Sequence, residues 1–376
     1  MLSKAYTAIS QAFSESPLSI STLSIGTGAA AALYGAWKMY QKLYSPIVVK
    51  HLRIFPVKSC RGFEVDEWEI GEFGFLYDRA WMIVKEKDNK FITQREVPTM
   101  VLINTNVDPK TGTLHLTFPG MGAQSVKYLK NIQVNDANAD RVKKVTIWSD
   151  TVTAFDCGNE IAQWLSVCLK QNVRLVQVID QFTDERTDKT IEIKHHQRPP
   201  EEDVIRSFTE DGITISYVSQ FADAYPFLMT SENSVRDFNK KVIADQSSNA
   251  ISAFFNTLLY DLFGANNYID NWNFRSNIII SSPAIEPYAE EKYRQIEING
   301  IPLFGVKRCT RCTMPSVDTA KGVKRSFITD SLNKHRYCQV AEGTVFGMNL
   351  CHQEKNIGSK IRVGQEVKVK QVAFVK

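Results

Sequence analysis

The chain has 376 residues, 43% of them hydrophobic and 23% charged, with a formal net charge of +4. These values lie near globular averages, so most of the chain folds around an apolar core with room for one large or two ordinary domains plus appendages. The basic excess is mild, and no long Lys/Arg block, zinc-finger spacing or RNA-binding signature accompanies it, which argues against a nucleic-acid partner.

From Ser16 to Trp37 no residue is charged, a run of 22 residues long enough to cross a bilayer as a helix. Ser, Thr, Gly and Ala dominate it. Lys38, Lys42, Lys50 and Arg53 follow, whereas only Lys4 and Glu15 precede. The positive-inside rule then places the body in the cytosol. Residues 1–45 contain no Arg, unlike a mitochondrial presequence, and the basic region is too thin for a cleaved secretory signal. The reading is a weakly hydrophobic signal anchor; the bland alternative is a disordered Ser/Ala-rich leader.

In the body, residues 47–57 alternate and are β-branched, which predicts a strand. Residues 64–70 and 80–86 predict two more. Residues 101–108 and 113–119 flank Asp108-Pro109-Lys110-Thr111-Gly112 and read as a hairpin. A strand at 142–149 precedes a helix at 158–170, where Ile161, Trp164, Leu165, Cys168 and Leu169 share one face. Another strand covers 173–179. Residues 180–212 are charged and include Arg198-Pro199-Pro200, so they read as a surface connection or domain boundary, with His195 and His196 as solvated loop residues. Ser231 is a good N-cap for a helix from Glu232, and 251–263 predicts a second helix. A strand at 274–281 and the turn Asn299-Gly300, which suits a type I′ hairpin, follow. Short strands at 343–350 and 361–374 close a half that reads as a β-barrel-like domain.

The seven cysteines are scattered and odd in number, which points to a reducing compartment rather than a disulfide framework. The sharpest motif is Cys309-Thr310-Arg311-Cys312, after the second strand of the Asn-Gly hairpin. A zinc half-site lacks a second ligand pair. A thioredoxin-like pair belongs early in a βαβ unit, and an iron–sulfur cluster needs four ligands. A single thiolate ligand to a metal carried by an organic cofactor is left, beside the reading of loop cysteines without function; Arg311 would favour the thiolate. Lys58-Ser59, Arg79 and Arg275 stand in turn contexts, where lone cations are usually solvated and matter only as an anion clamp. Thr230-Ser231 precedes a helix, where it is either a plain N-cap or part of a phosphate site.

Six segments, IFPVKSCRG (54–62), LYDRAW (76–81), DCGNEIAQWL (156–165), YPFLMTSENSV (225–235), NFRSNIII (273–280) and CTRCTMPSVD (309–318), occur in the order found in MOSC-domain proteins. Over residues 47 to about 374 the chain resembles that family, and within it the mitochondrial amidoxime-reducing components. The resemblance implies an α+β architecture: a leader and membrane anchor at 1–45, an α/β N-terminal MOSC-associated domain at 46–182, and a β-barrel-like MOSC domain at 183–376. It implies a molybdenum cofactor, with Cys312 as the metal ligand and catalytic thiolate. Lys58, Ser59, Arg79, Thr230, Ser231, Arg275 and Arg311 match positions that bind the pterin and its phosphate.

The implied activity is two-electron reduction of N-hydroxylated compounds such as amidoximes and hydroxylamines. Electrons would come from a small haem-b cytochrome and its NADH-dependent flavin reductase, at the mitochondrial outer membrane with the body facing the cytosol. Pyridoxal phosphate binding is a further family-level association. The rivals are a sulfur carrier with a persulfide on Cys312 and a non-catalytic membrane-tethered binding protein. The sequence departs from the family at Asn349, where a Tyr is frequent, at Ser276, which replaces a common Pro, and at 245–268, which reads as an insertion.

Overall fold

A computed structural model describes residues 35–37, 39–41, 44–148, 150–179, 181–187, 189–192, 221, 225–265 and 267–372. Contacts divide the chain into a unit Met1–Ser45 and a unit Pro46–Lys376. In the first, the described residues are helical up to Tyr44, and the Tyr40 and Tyr44 rings pack with centroids 4.8 Å apart. The anchor expected at 16–37 falls almost wholly outside the described residues. Among those described, no helix is long and apolar enough to cross a membrane.

The second unit is built on a large sheet. Its main strands are β1 (Val48–Ile54), β2 (Phe63–Val65), β3 (Phe227–Ser231), β4 (Ile278–Ser281), β5 (Tyr293–Ile298), β6 (Ile301–Thr310), β7 (Gly343–His352) and β8 (Val367–Val372), in the order β2-β1-β4-β3-β7-β6-β5-β8. Only β3 and β4 run parallel; every other neighbouring pair is antiparallel. β1, next to one end of the row, meets the other end. Val49 N–H donates to the Gln365 carbonyl at 2.9 Å, and Val367 N–H donates to that of Ile47 at 2.7 Å. β1 thereby closes on the residues leading into β8, making the barrel expected from many short strands, since closure leaves fewer open edges. Its interior holds Leu52, Ile54, Met229, Ile278, Ile296, Leu303 and Leu350. Asn299 and Gly300 both have positive φ, 51° and 78°, as a type I′ turn requires, and Ile298 faces Ile301 across it.

The expected α/β character of the N-terminal half is corrected. Among the described residues of 46–182, the one α-helix is α1 (Asn159–Leu169). It packs through Ile161, Trp164, Leu165 and Leu169. Beneath it lies a four-stranded antiparallel sheet of Val142–Ile147, Asp150–Asp156, Val173–Val178 and Trp81–Lys85. A second antiparallel group contains the hairpin Asn104–Asp108 and Thr113–Thr117. Apart from the short parallel pair Ile132–Val134 with Gln181–Asp184, the named strands described in this region pair antiparallel; it is a β structure with one covering helix. The surface connection expected at 180–212 begins as a hairpin, Gln181–Asp184 with Lys189–Glu192, while 193–220, including His195 and His196, lies outside the described residues.

Four helices gather beside the barrel: α2 (Glu232–Asp245), α3 (Ala250–Phe263), α4 (Asn271–Phe274) and α5 (Ser326–Arg336). Helices α2, α4 and α5 share a core of Val235, Phe238, Val242, Phe274, Ile328 and Leu332 with Phe346 of β7. Ser231 caps α2, its hydroxyl accepting from Ser234 N–H.

Candidate functional site

Three basic or polar turn residues singled out in the sequence share a backbone conformation. Ser59, Arg79 and Arg275 have φ of 64°, 52° and 58°. The left-handed region is costly for residues with a Cβ and persists where surrounding contacts impose it, often at ligand clamps. Here the contacts are visible. Arg79 and Arg275 stack against the Phe55 ring, with guanidinium carbons 4.7 and 4.5 Å from its centroid. Arg79 Nη2 donates to the Arg275 carbonyl at 3.0 Å, and Arg275 Nη1 donates to the carbonyl of Cys60, next to Ser59.

Asp78 and Asn277 hold this cradle from behind. Asp78 pairs with Arg79 and accepts from Phe55 N–H at 2.7 Å. Asn277 accepts from Arg79 at 3.0 Å and donates to Asp78 at 3.1 Å and to the Arg53 carbonyl at 3.1 Å. The cradle is strongly basic, with Asp78 as the carboxylate in direct contact with Arg79.

The one-turn helix α4 ties the cradle to the cysteine loop. Arg275 is its left-handed C-cap. Arg311 donates to the Phe274 carbonyl at 2.9 Å and to Cys309 Sγ at 3.0 Å. Thr230 donates to Asn271 at 3.1 Å and to Ser276 at 2.8 Å. Asn273 donates to the carbonyls of Pro315 and Val317 at 3.0 and 2.9 Å, fixing the chain just beyond Cys312. Gly347 (φ 82°) must be glycine for this arrangement: a Cβ there would stand 2.7 Å from the Met229 carbonyl and 2.8 Å from the Thr230 methyl.

Cys312 is the exposed cysteine among the seven. Met314 N–H donates to its Sγ at 3.5 Å. By contrast, burial pushes the Cys60 thiol up to about 12 even though Arg275 pulls it down, and pushes Cys168 up to about 11. Cys157 and Cys351 are raised too, chiefly by burial. Those four stay protonated thiols at neutral pH and are poor metal ligands. A narrow, partly open crevice with room for only about 10 Å³ runs between the cradle and the cysteine loop, lined by Phe55, Arg61, Gln94, Trp272, Arg275 and Met314 among others.

Two buried polar atoms on this surface, Ser59 Oγ and Arg311 Nε, have no hydrogen-bond partner among the described residues. Buried polar groups are nearly always satisfied, so an orphaned hydroxyl and an orphaned guanidinium N–H beside a basic cradle fit an anionic ligand. Among the described residues, no group of three or more His, Cys, Asp or Glu is placed to hold a metal ion. A metal bound at Cys312 would therefore draw its other ligands from an organic group, and a soft thiolate suits such a centre.

The matched family models are the MOSC N-terminal beta barrel domain, over residues 47–172, and the MOSC domain, over residues 216–368. The chain belongs to the MOSC-domain family. Among its relatives is mitochondrial amidoxime-reducing component 1 of Mus musculus, 26% identical over 337 residues that cover 86% of this chain and 83% of that protein. The Homo sapiens protein of the same name is 28% identical, covering 80% of this chain and 75% of its own. The molybdenum cofactor sulfurase of Homo sapiens is 26% identical over 86% of this chain, which spans only 32% of that longer protein. In MOSC terms the cradle is composite. Lys58, Ser59 and Arg79 lie in the N-terminal match, and Thr230, Ser231, Arg275, Arg311 and Cys312 lie in the MOSC match.

Two of the expected residues have other engagements. Lys58 Nζ donates to the Phe221 carbonyl at 2.8 Å, in the core of the N-terminal half. The Ser231 hydroxyl is shared between Ser234 and Glu290, at 2.7 and 3.1 Å. Ser231 thus adjoins the cradle through Thr230 while its side chain serves the helix cap. Sequence reasoning missed Phe55, Asp78, Asn277 and the α4 residues Asn271 and Asn273. Four of them sit inside the quoted segments, beside the arginines they orient, and that adjacency was the available signal.

Proposed function

We propose that this chain is a molybdenum-cofactor-dependent reductase of N-hydroxylated compounds, amidoximes and hydroxylamines in particular. The observation that carries the reading is the exposed Cys312 at the edge of a basic cradle whose Ser59 and Arg311 have buried atoms without a partner among the described residues. When bound, the molybdenum cofactor supplies a two-electron centre able to take oxygen from nitrogen. Cys312 is the residue that would ligate its metal. Ser59, Arg79, Arg275 and Arg311 would grip its pterin and phosphate through charge-assisted hydrogen bonds, with Lys58, Thr230 and Ser231 completing the surround. The walls of Phe55 and Trp272 would limit water at the cleft. The names and coverage of the amidoxime-reducing relatives support the reductase reading.

The rest follows as one scheme. Residues 46–182 and 183–376 act as the two MOSC-type domains behind an anchor within 1–45. Electrons arrive from a small haem-b cytochrome served by an NADH-dependent flavin reductase. The site of action is the mitochondrial outer membrane, with the body in the cytosol. Protease added to intact mitochondria should then digest the body; full protection until both membranes are opened would overturn that placement.

A second reading is favoured by the sulfurase relatives together with the exposure of Cys312: a sulfur carrier bearing a persulfide on that thiol. Metal analysis and intact mass of the purified chain separate the two. The reductase reading expects stoichiometric molybdenum with pterin, both released on denaturation, and turnover of a benzamidoxime with a chemical reductant. Absence of molybdenum with one added sulfur on Cys312 would establish the carrier instead.

A further inference from the structure

Helix α3 has no buried residue at all. Its apolar side chains are nonetheless large and ordered in one stripe. Ile251, Phe254, Phe255, Leu258, Leu259, Leu262 and Phe263 follow the helical spacing i, i+3, i+4, i+7, i+8, i+11, i+12, and each is between 40% and 76% exposed. The opposite face carries Ser252, Ala253, Asn256 and Tyr260, all half-buried. A helix normally turns such a stripe toward the core, and this one turns it outward. The helix is well made at both ends. Asn249 and Ser252 form a reciprocal capping box, and Gly264 closes it in the left-handed conformation. A contiguous apolar patch of this kind marks an interaction surface rather than ordinary surface scatter.

We propose that the outward face of α3 docks on a phospholipid surface. Two features select lipid over a second copy of the chain. The first is charge. The single charged residue of α3, Asp261, is held by Arg236 Nη2 at 3.0 Å and by Lys240 Nζ at 2.8 Å, both from α2. Two cations for one carboxylate leave this edge net positive. That complements anionic headgroups and would repel its own image across a two-fold dimer. The second is reach, and it rests on the anchor reading of 16–37. Only residues 38–45 separate that run from the body, so the body would be held within about 30 Å of a bilayer. At that effective concentration an apolar helix with a basic flank finds the membrane without needing strong intrinsic affinity.

The test uses the full chain carrying Phe255→Trp, in vesicles of phosphatidylcholine with a minor fraction of phosphatidylserine. The phosphatidylcholine is brominated near the headgroup end of its acyl chains. The emission added over the parent chain should shift to shorter wavelength and be quenched by the brominated lipid. Leu258→Glu combined with Leu262→Glu should abolish both changes while circular dichroism stays unaltered, because neither residue is in the core. Retention on the vesicles after an alkaline wash reports the anchor separately. Retention without quenching overturns the α3 proposal and leaves the anchor standing; quenching without retention does the reverse. A blue shift that grows with protein concentration and ignores lipid would show a second copy on this face and also overturn the proposal.

Discussion

The guanidinium of Arg79 donates to the backbone carbonyl of Arg275 at 3.0 Å, joining residues 196 positions apart in the chain. Both arginines are in the left-handed conformation and both stack on Phe55. One contact thus links the N-terminal and C-terminal parts of the cradle. Arg79 also reaches Asp78 and Asn277, so its planar fork is matched to several fixed acceptors.

Arg79→Lys keeps the charge and loses the fork. Cofactor retention should weaken by about 1.5–3 kcal/mol, roughly ten- to a hundredfold, because an ammonium cannot bridge acceptors at that spacing. Molybdenum and pterin remaining after serial dialysis measure it. Unchanged retention would mean that Arg79 orders the loop and does not hold ligand.

Ser231→Ala tests the division of labour between neighbouring residues. The Ser231 hydroxyl serves the α2 cap and Glu290. Its loss should lower stability by about 1–2 kcal/mol, the scale of an N-cap, with cofactor retention little changed. Urea unfolding midpoints and molybdenum content, read together, decide. A large loss of molybdenum with unchanged stability would return Ser231 to the ligand-binding surface.

Glu290 gives a pH signature. Burial is the dominant influence and raises its carboxyl above the ordinary value of 4.5; the charge of Glu291 adds to this, while the hydrogen bonds from Ser234 and Ser231 oppose it. A carboxyl raised in the fold keeps its proton there after the unfolded chain has released it. Its stabilising contribution is therefore complete below about pH 4.5 and is lost as pH climbs through the folded value. Glu290→Gln removes the titration and can still accept from Ser231 N–H. Relative to the parent, the variant should gain stability as pH rises from 4.5. A difference independent of pH across that window would show that Glu290 is already ionised in the fold.

Local patterns carried much of the fold. Asn299-Gly300 specified its hairpin because only left-handed backbone closes that turn, and the spacing Ile161, Trp164, Leu165, Leu169 specified α1. Helix α5 was not legible. It buries only Ile328, Ser331 and Leu332 and has no side-chain cap, so no stripe announces it. Helix α4 is a single turn, shorter than any periodicity can resolve. The α/β reading of the N-terminal half failed because one strong helix among strands does not say whether the strands pair parallel. At the site, Arg79 and Arg275 looked like isolated surface cations. Their convergence depends on barrel closure, which brings both to Phe55 and Asn277 and which no local pattern encodes. The motif singled out Cys312, but its exposure is seen only in the fold, where α4 pins Pro315 and Val317 just beyond it.

Thiol labelling should follow burial. Iodoacetamide under native conditions should modify Cys312 first, because Cys60, Cys168 and Cys351 are buried and held protonated. Peptide mass mapping over a time course reads the order. Loading with molybdenum cofactor should protect Cys312 selectively. Modification of Cys60 at a comparable rate would mean that the cradle opens on the labelling timescale.

The two cysteines of the motif should behave differently. Cys309 is half-buried and accepts a hydrogen bond from Arg311 at 3.0 Å, so it helps to hold that side chain. Cys312 is exposed and, among the described residues, receives only the backbone N–H of Met314. If Cys312 is the metal ligand, Cys312→Ala should abolish reductase turnover while the unfolding midpoint stays near the parent value, since an exposed thiol contributes little packing. Pterin should persist in part, because Ser59, Arg79 and Arg275 remain. Cys309→Ala should keep metal and most activity. Its cost should be limited to about 0.5–1.5 kcal/mol in cofactor retention, the net worth of one hydrogen bond that positions Arg311. Molybdenum by mass spectrometry, pterin by fluorescence after oxidation, and turnover, measured on both variants, give a pattern that neither exposure nor folding alone can mimic. Near-normal turnover with molybdenum bound in Cys312→Ala would end the ligand assignment, and equal losses in the two variants would point to a redox pair instead.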